Sequence, residues 1–418
     1  MNMKKGIQKT ISVALSGLLL SSGLLATTAC ALPNPASVAK SAAKSATKAA
    51  VQQTAHQVEK EATKAVAQAS ADAKAYDAKA KQVPTDGFYS SKLNAQQKKV
   101  YQSIVSGITD KQKSIAVLDI NNSEQEAVFN AVFAENPQFF YCNRKAGWKK
   151  RDDGTKKTTY FDPTYNEYLG KDATFNSAVD QFLAGAPKSG SDYDKVLYVH
   201  DKIVADTSYV LGKGSAYDCL VNHSANCEGH SFATKLLLNK LGVTCRIVSG
   251  SSLNAQGAWE NHMWTVVTVD GKDYILDTTW DNPAGKAPNF VSQRYFLCSK
   301  DQLAKTHKPK DPANIASCTN TDINWYKKNG LYFDTYEASK TKLPDIVANS
   351  VNKGEYNVAV QYASEAECKK ALDDLFEKGA VYDILEKANS KTGNKIDTEI
   401  SWDPTTVLNV CVLNLQKA

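Results

Sequence analysis

HMWTVVTVDGKDYILDTTW, residues 262–280, reads as two strands and the turn between them. Val, Thr, Tyr and Ile dominate both arms, as suits a half-buried sheet. Asp270-Gly271 is the strongest short hairpin signal, since a type I′ turn needs positive φ at both central residues. With a two-residue loop, Val269 pairs with Lys272. His262 then faces Thr279, and Trp264 faces Asp277. His262 and Asp277 become diagonal neighbours on one sheet face, roughly 7–8 Å apart at Cα and within side-chain reach. A slip of one residue would send them to opposite faces. An imidazole beside a carboxylate is a base with its orienter.

Working upstream, SANCEGHSFATKLLLNKLG (residues 224–242) predicts a helix from near Cys227 to a stop at Gly242, and VTCRIVSG a strand. A cysteine at a helix start meets unpaired backbone N–H groups and the positive end of the dipole, which favour a thiolate. The same N–H groups can face a developing oxyanion. Cys227, His262 and Asp277 thus form a candidate nucleophile, base and orienter, acting by acyl transfer through a thioester.

NCEGHSFATKLLLNKLGVTCRIVSG followed by ENHMWTVVTVDGKDYILDTTWDNP resembles the transglutaminase-like superfamily, papain-related Cys-His-Asp folds, and is similar to its bacterial exported members. The matching pieces are C-x-G at Cys227–Gly229, His262 with Trp264 two residues on, and Asp277 in L-D-x-x-W-D. The likeness spans residues 193–300. ENPQFFYC and YFLCSKDQLAKTH look like flanking pieces of the same group. The resemblance implies an α+β fold: helices packed on an antiparallel sheet, with Cys227 as nucleophile, His262 as base and acid, and Asp277 as orienter. Gly229, His230, Trp264 and Trp280 are substrate-cleft candidates. His230 stands where relatives often carry an aromatic such as Tyr. The reaction implied is hydrolysis of peptide or carboxamide bonds, as in a protease or amidase. A glutamine cross-linking transglutaminase and a non-catalytic surface-binding scaffold are the alternatives. No cofactor and no metal is expected.

A rival reading takes Cys219, His223, Cys227 and His230, C-x3-H-x3-C-x2-H, as zinc ligands. It leaves the His262–Asp277 geometry unexplained. His200, in a helical apolar pattern, reads as a satisfied core histidine.

Charge and composition bound the rest. The chain has 418 residues and a net charge of +6. Three Lys in residues 1–29, and eight Lys against four acids in residues 30–82, put +7 in the first 82 residues and leave −1 for residues 83–418. A near-neutral body argues against nucleic acid as partner. Lys4, Lys5 and Lys9, an apolar run over residues 11–26 and small residues before Cys30 read as an export signal over residues 1–29. Because LLATTAC resembles a lipoprotein signal, Cys30 is the candidate lipidation site. That implies a membrane-anchored protein on the extracellular face, with ordinary secretion as the alternative. A peptide or protein substrate at the cell wall or surface is the expected partner.

Residues 30–85 are an Ala/Lys-rich stalk or linker, with 18 Ala in residues 30–82. Residues 86–315 form the expected main domain. It begins with helical segments, one of them opened by a Ser123/Glu126 capping box, followed by QFFYC as a short strand and a hairpin over residues 148–165. Residues 316–418 form a small α/β module in the order strand, helix, helix, strand, with no catalytic constellation.

Overall fold

The computed structural model describes residues 82–152, 157–254, 256–282 and 291–418, with scattered positions between residues 53 and 80. The export signal and Cys30 lie outside the described residues. The described residues divide into two compact units, one of those up to 86 with 93–128 and 146–163, the other of those within 87–92, 129–145 and 164–418.

In the first unit, helix α1 (Ala95–Thr109) buries Val100, Tyr101, Ile104 and Ile108. It packs on β1 (Ile115–Val117), the edge of a sheet ordered β1-β3-β2 with β2 (Cys142–Asp152) and β3 (Lys157–Tyr165). The hairpin expected over residues 148–165 is therefore present, with longer arms. Helix α2 (Asn122–Glu135) is capped two residues earlier than expected. Asn121 Oδ1 accepts from the Glu124 N–H, and Glu124 accepts from the Asn121 N–H. Asn121 offers the same x-x-Glu spacing two residues upstream, and Ser123 instead donates to its side chain. QFFYC is not a strand. The Phe139 N–H reaches Asn136 O and the Cys142 N–H reaches Phe139 O, so Phe139, Phe140 and Tyr141 enter the core through successive turns.

In the second unit, helices α3 (Asp172–Leu183), α4 (Asp192–Asp206) and the short α5 (Ala216–Leu220) precede the central helix α6 (Cys227–Lys240). A two-stranded parallel ladder, β4 (Ser208–Tyr209) on β5 (Ser224–Ala225), leads directly into α6. Helix α6 packs on α4, α5 and the sheet, and every residue from Gly229 to Leu238 is buried. That sheet is antiparallel, in order β8-β7-β6-β9, from β6 (Cys245–Leu253), β7 (Trp259–Val269), β8 (Lys272–Leu276) and β9 (His307–Pro309). The β7–β8 hairpin has the expected register, Val269 opposite Lys272, with Asp270 and Gly271 both at positive φ. Both faces of the hairpin are covered: Trp264, Val266, Val267, Tyr274 and Ile275, which alternate between them, are almost wholly buried. Each contributes about 1.5–3 kcal/mol of apolar burial.

Further along the same unit lies a sheet ordered β10-β11-β13-β12: β10 (Tyr332–Phe333), β11 (Asn357–Tyr362), β12 (Ser401–Trp402) and β13 (Val410–Asn414). Its core gathers Val347, Val360, Leu375, Leu385 and Cys411. The architecture is α+β, helices on antiparallel sheets with one small α/β module. No helix among the described residues is long and apolar enough to cross a membrane.

Strand β9 reaches β6 through a gap that only glycine leaves open. A Cβ on Gly250 would stand 2.2 Å from the Lys308 carbonyl oxygen, 2.8 Å from the Pro309 Cα and 2.7 Å from the Trp264 ring. Two of these are backbone atoms and cannot rotate away. Gly250→Ala is expected to lower stability by about 3 kcal/mol, the upper end for overpacking, read as a lower urea midpoint. An unchanged midpoint would mean that β9 is not seated as described.

Candidate active site

Cys227 is the first residue of α6 and is partly exposed. Asn226 caps the helix: its Oδ1 accepts from the Glu228 and Gly229 N–H groups at 3.0 and 3.2 Å. Two of the orphan donors of the first turn are thereby satisfied. The Cys227 N–H makes no hydrogen bond among the described residues and remains a donor beside its own sulfur. Cys227 opens onto a groove of about 500 Å³ that it lines with Glu228, Gly250, Asn261, His262 and Lys308. Arg144 also lines the groove, 3.1 Å from Glu228.

His262 comes from β7, and Asp277 follows β8 at the point where the ladder ends. The Asp277 N–H turns away to the Tyr295 carbonyl. The two side chains meet there, His262 Nε2 to Asp277 Oδ2 at 2.6 Å. With Nε2 engaged, Nδ1 is the nitrogen left for Cys227, whose contact is one of the influences raising the His262 pKa. Asp277 is fully buried, and both its oxygens are saturated. Oδ1 accepts the Thr279 and Trp280 N–H groups at 2.9 and 3.1 Å, and Oδ2 accepts a second imidazole, His307 Nε2, at 3.0 Å.

Trp264 stacks on the His262 ring at 5.8 Å and Trp280 meets it edge-on at 6.1 Å. Both tryptophans are walls of the imidazole's cage. None of the four cleft candidates, Gly229, His230, Trp264 or Trp280, lines the groove itself. Gly229 faces the loop before α5, where a Cβ would come 2.9 Å from the Ser215 carbonyl and 3.0 Å from that of Lys213. It is glycine so that the loop can close on the helix. His230 is wholly buried, its Nε2 3.4 Å from Asn282 Nδ2. Its departure from the relatives' pattern therefore falls in the core. His200 is a satisfied core histidine, with Nδ1 on Asp201 and Nε2 on Asp281.

The zinc reading is not supported. Cys219 is buried against Thr207 and His223 is exposed at positive φ. Among the described residues the one His/Cys/Asp/Glu group close enough for a metal is His262, Asp277 and His307. The 2.6 Å separation of His262 from Asp277 is a hydrogen-bond length, shorter than the roughly 3.3 Å between two ligands of a tetrahedral zinc with ~2.0 Å bonds. All eight described cysteines are free thiols.

Two neighbours were not singled out as site residues in the sequence, although His307 ends the family-like stretch YFLCSKDQLAKTH. His307 arrives on β9, opposite Ser252 of β6, and a pairing across more than fifty residues leaves no local pattern. Tyr209 sits opposite Ala225, and its pKa is raised by burial and then by Cys227, Glu260 and Asp277.

Burial lowers the proton affinity of His262, but the charge and hydrogen bond of Asp277, with Cys227, outweigh it and raise the pKa to about 10. Burial would raise Asp277, yet His262 and His307 hold it well below the usual carboxylate range. A His whose folded pKa is raised contributes stability that is complete below its unfolded value, about 6.5, and lost as pH climbs through the folded one. A depressed Asp contributes stability present above about pH 4 and lost on acidification. The urea midpoint is therefore expected to fall between about pH 6.5 and 10. His262→Gln should remove part of that fall, leaving the share from His200, whose pKa stands at about 9. Equal slopes in the two proteins would contradict the assignment.

Residues 180–277 match the family described as the transglutaminase-like superfamily. No curated protein matches the chain. Among solved structures it is similar to a chain described as a TGase, at 15% identity and a TM-score of 0.23, covering 43% of this chain and 53% of that one. It is also similar to a candidate cysteine protease from Cytophaga hutchinsonii, at 16% identity and a TM-score of 0.25, covering 44% and 80%. A candidate protease from Parabacteroides distasonis stands at 14% and 0.18, covering 31% and 35%. The chain thus spans about half the length of the first of these and about a third of the last.

Proposed function

From the premise that residues 180–277 form a transglutaminase-like core, we propose that this protein is a cysteine acyl-transfer enzyme that hydrolyses peptide or carboxamide bonds. The observation that carries the reading is the 2.6 Å bond from Asp277 to His262 Nε2, which leaves Nδ1 for a partly exposed Cys227 in the same groove.

Each step has a group to perform it. Cys227 Sγ, its proton already passed to His262 Nδ1, attacks the carbonyl carbon as a thiolate. The carbonyl oxygen becomes an oxyanion and accepts from the Cys227 N–H, a donor that needs no reorganisation. The tetrahedral intermediate collapses, His262 gives its proton to the departing amine, and a thioester remains. Water then attacks with His262 as base; the acid leaves and the thiol is restored. Asp277 orients the ring and stabilises the imidazolium throughout. Transfer to an amine would use the same three residues, with the amine in place of water at the thioester.

Arg144, Lys308 and Lys310 line the groove against the single carboxylate of Glu228. The near-neutral body therefore holds a locally basic cleft, which suits substrates with an acidic residue near the scissile bond. Export and a lipid anchor at Cys30 complete the proposal, resting on the charged, apolar and small-residue order of residues 1–30.

Cys227→Ala is expected to abolish turnover of a peptide library while leaving thermal unfolding unchanged. Products of the parent protein formed with a fluorescent primary amine present should be free carboxylates. Amine adducts as the main product would make it a cross-linking enzyme, and activity in Cys227→Ala would remove the nucleophile. For the anchor, Cys30→Ser should move the protein from the membrane to the soluble fraction of the producing cell. Persistent membrane association would refute lipidation there.

A further inference from the structure

Asp277 is held by two imidazoles, and only one of them is needed to orient a base. His307 Nε2 stands 3.0 Å from the oxygen that His262 approaches to 2.6 Å. A carboxylate only accepts, so His307 must donate through Nε2. Its other nitrogen lies 2.9 Å from Thr306 Oγ1, so both ring nitrogens are engaged. The ring is clamped edge-on by Trp264 at 5.1 Å, with Trp280 at 5.6 Å and Tyr295 at 5.7 Å. The whole arrangement is buried and rides on β9, which Gly250 admits against β6.

We propose that His307 is a positioning residue for the Cys227–His262 pair, a second side-chain donor that divides the Asp277 carboxylate between two rings. The inference rests on the reading of Cys227 and His262 as nucleophile and base. Three titratable groups face the working imidazole: Cys227 from α6, Asp277 beyond β8 and His307 from β9. Tyr209 on β4 and Glu260 on β7 stand beside them. A buried carboxylate bound to one imidazole alone would hold the imidazolium too firmly, and an acid that keeps its proton serves a leaving amine poorly. The bond from His307 draws negative charge from the shared oxygen and weakens that hold. It also fixes Oδ2 where the two backbone donors on Oδ1 cannot reach.

The test follows His262 itself, by NMR titration of protein labelled with ¹³C at the histidine Cε1 position, in the parent, His307→Phe and His307→Gln. Phe keeps the aromatic packing without the donor; the Gln amide restores an N–H near Nε2. His307→Phe is expected to raise the His262 midpoint by about half a pH unit or more, and His307→Gln to titrate like the parent. A His262 midpoint equal in all three proteins, or shifted alike in Phe and Gln, overturns the proposal. Should the Phe variant not fold, His307→Asn, whose amide falls short of Asp277, takes its place with the same expected rise. Cys227→Ala in the same titration separates the two readings. If His262 behaves as a free imidazole and ignores the loss of Cys227, the nucleophile–base pair fails, whatever His307 does.

Discussion

A single negative charge, fully withdrawn from water, organises this molecule. An isolated buried carboxylate is expensive enough to protonate rather than stay charged. Asp277 stays charged because four donors converge on it: two backbone N–H groups on one oxygen and two imidazoles on the other. Three pieces of chain bring them. The hairpin brings His262, the turn after β8 brings the amides of Thr279 and Trp280, and β9 brings His307. The sheet order β8-β7-β6-β9 is what lets the three arrive together.

The rest of the site is arranged around that charge. Trp264, Trp280 and Tyr295 enclose the imidazoles and keep water from competing for the carboxylate. Helix α6 presents Cys227 on the far side of His262, with a free amide beside the sulfur. Asn226 satisfies the next two amides and leaves that one open. The helix start therefore supplies a directed donor, in addition to the general field of its dipole.

How much of this could be read from sequence depended on the distance between partners. The His262–Asp277 relation was legible because a two-residue turn fixes the register of everything near it, and Asp270-Gly271 is such a turn. The start of α6 was legible from its small polar residues. The neighbours of Cys227 on α6 were not. The helix is buried from Gly229 to Leu238, so no apolar stripe says which side meets the groove, and Gly229 and His230 stand away from the groove lining. QFFYC carries strand composition but is spent on turns that sink its rings into the core. Ser123 and Asn121 offered competing caps of the same spacing, a choice that side-chain geometry decides. His307 was the least legible, because nothing within ten residues of it reflects a strand neighbour at Ser252.

The late arrival of β9 in the chain has a consequence for assembly. The β7–β8 hairpin closes a loop of two residues, whereas β9 must return to β6 across more than fifty, and contacts of long sequence separation form slowly. During that interval Asp277 faces solvent on the side that β9 later seals, and its partner imidazole is not yet caged. A chain whose residues beyond 300 are still emerging thus holds Cys227, His262 and Asp277 but lacks the strand that carries His307. One short edge strand completes the surroundings of the carboxylate, and release of residues 307–309 would open them without touching Cys227, His262 or Asp277.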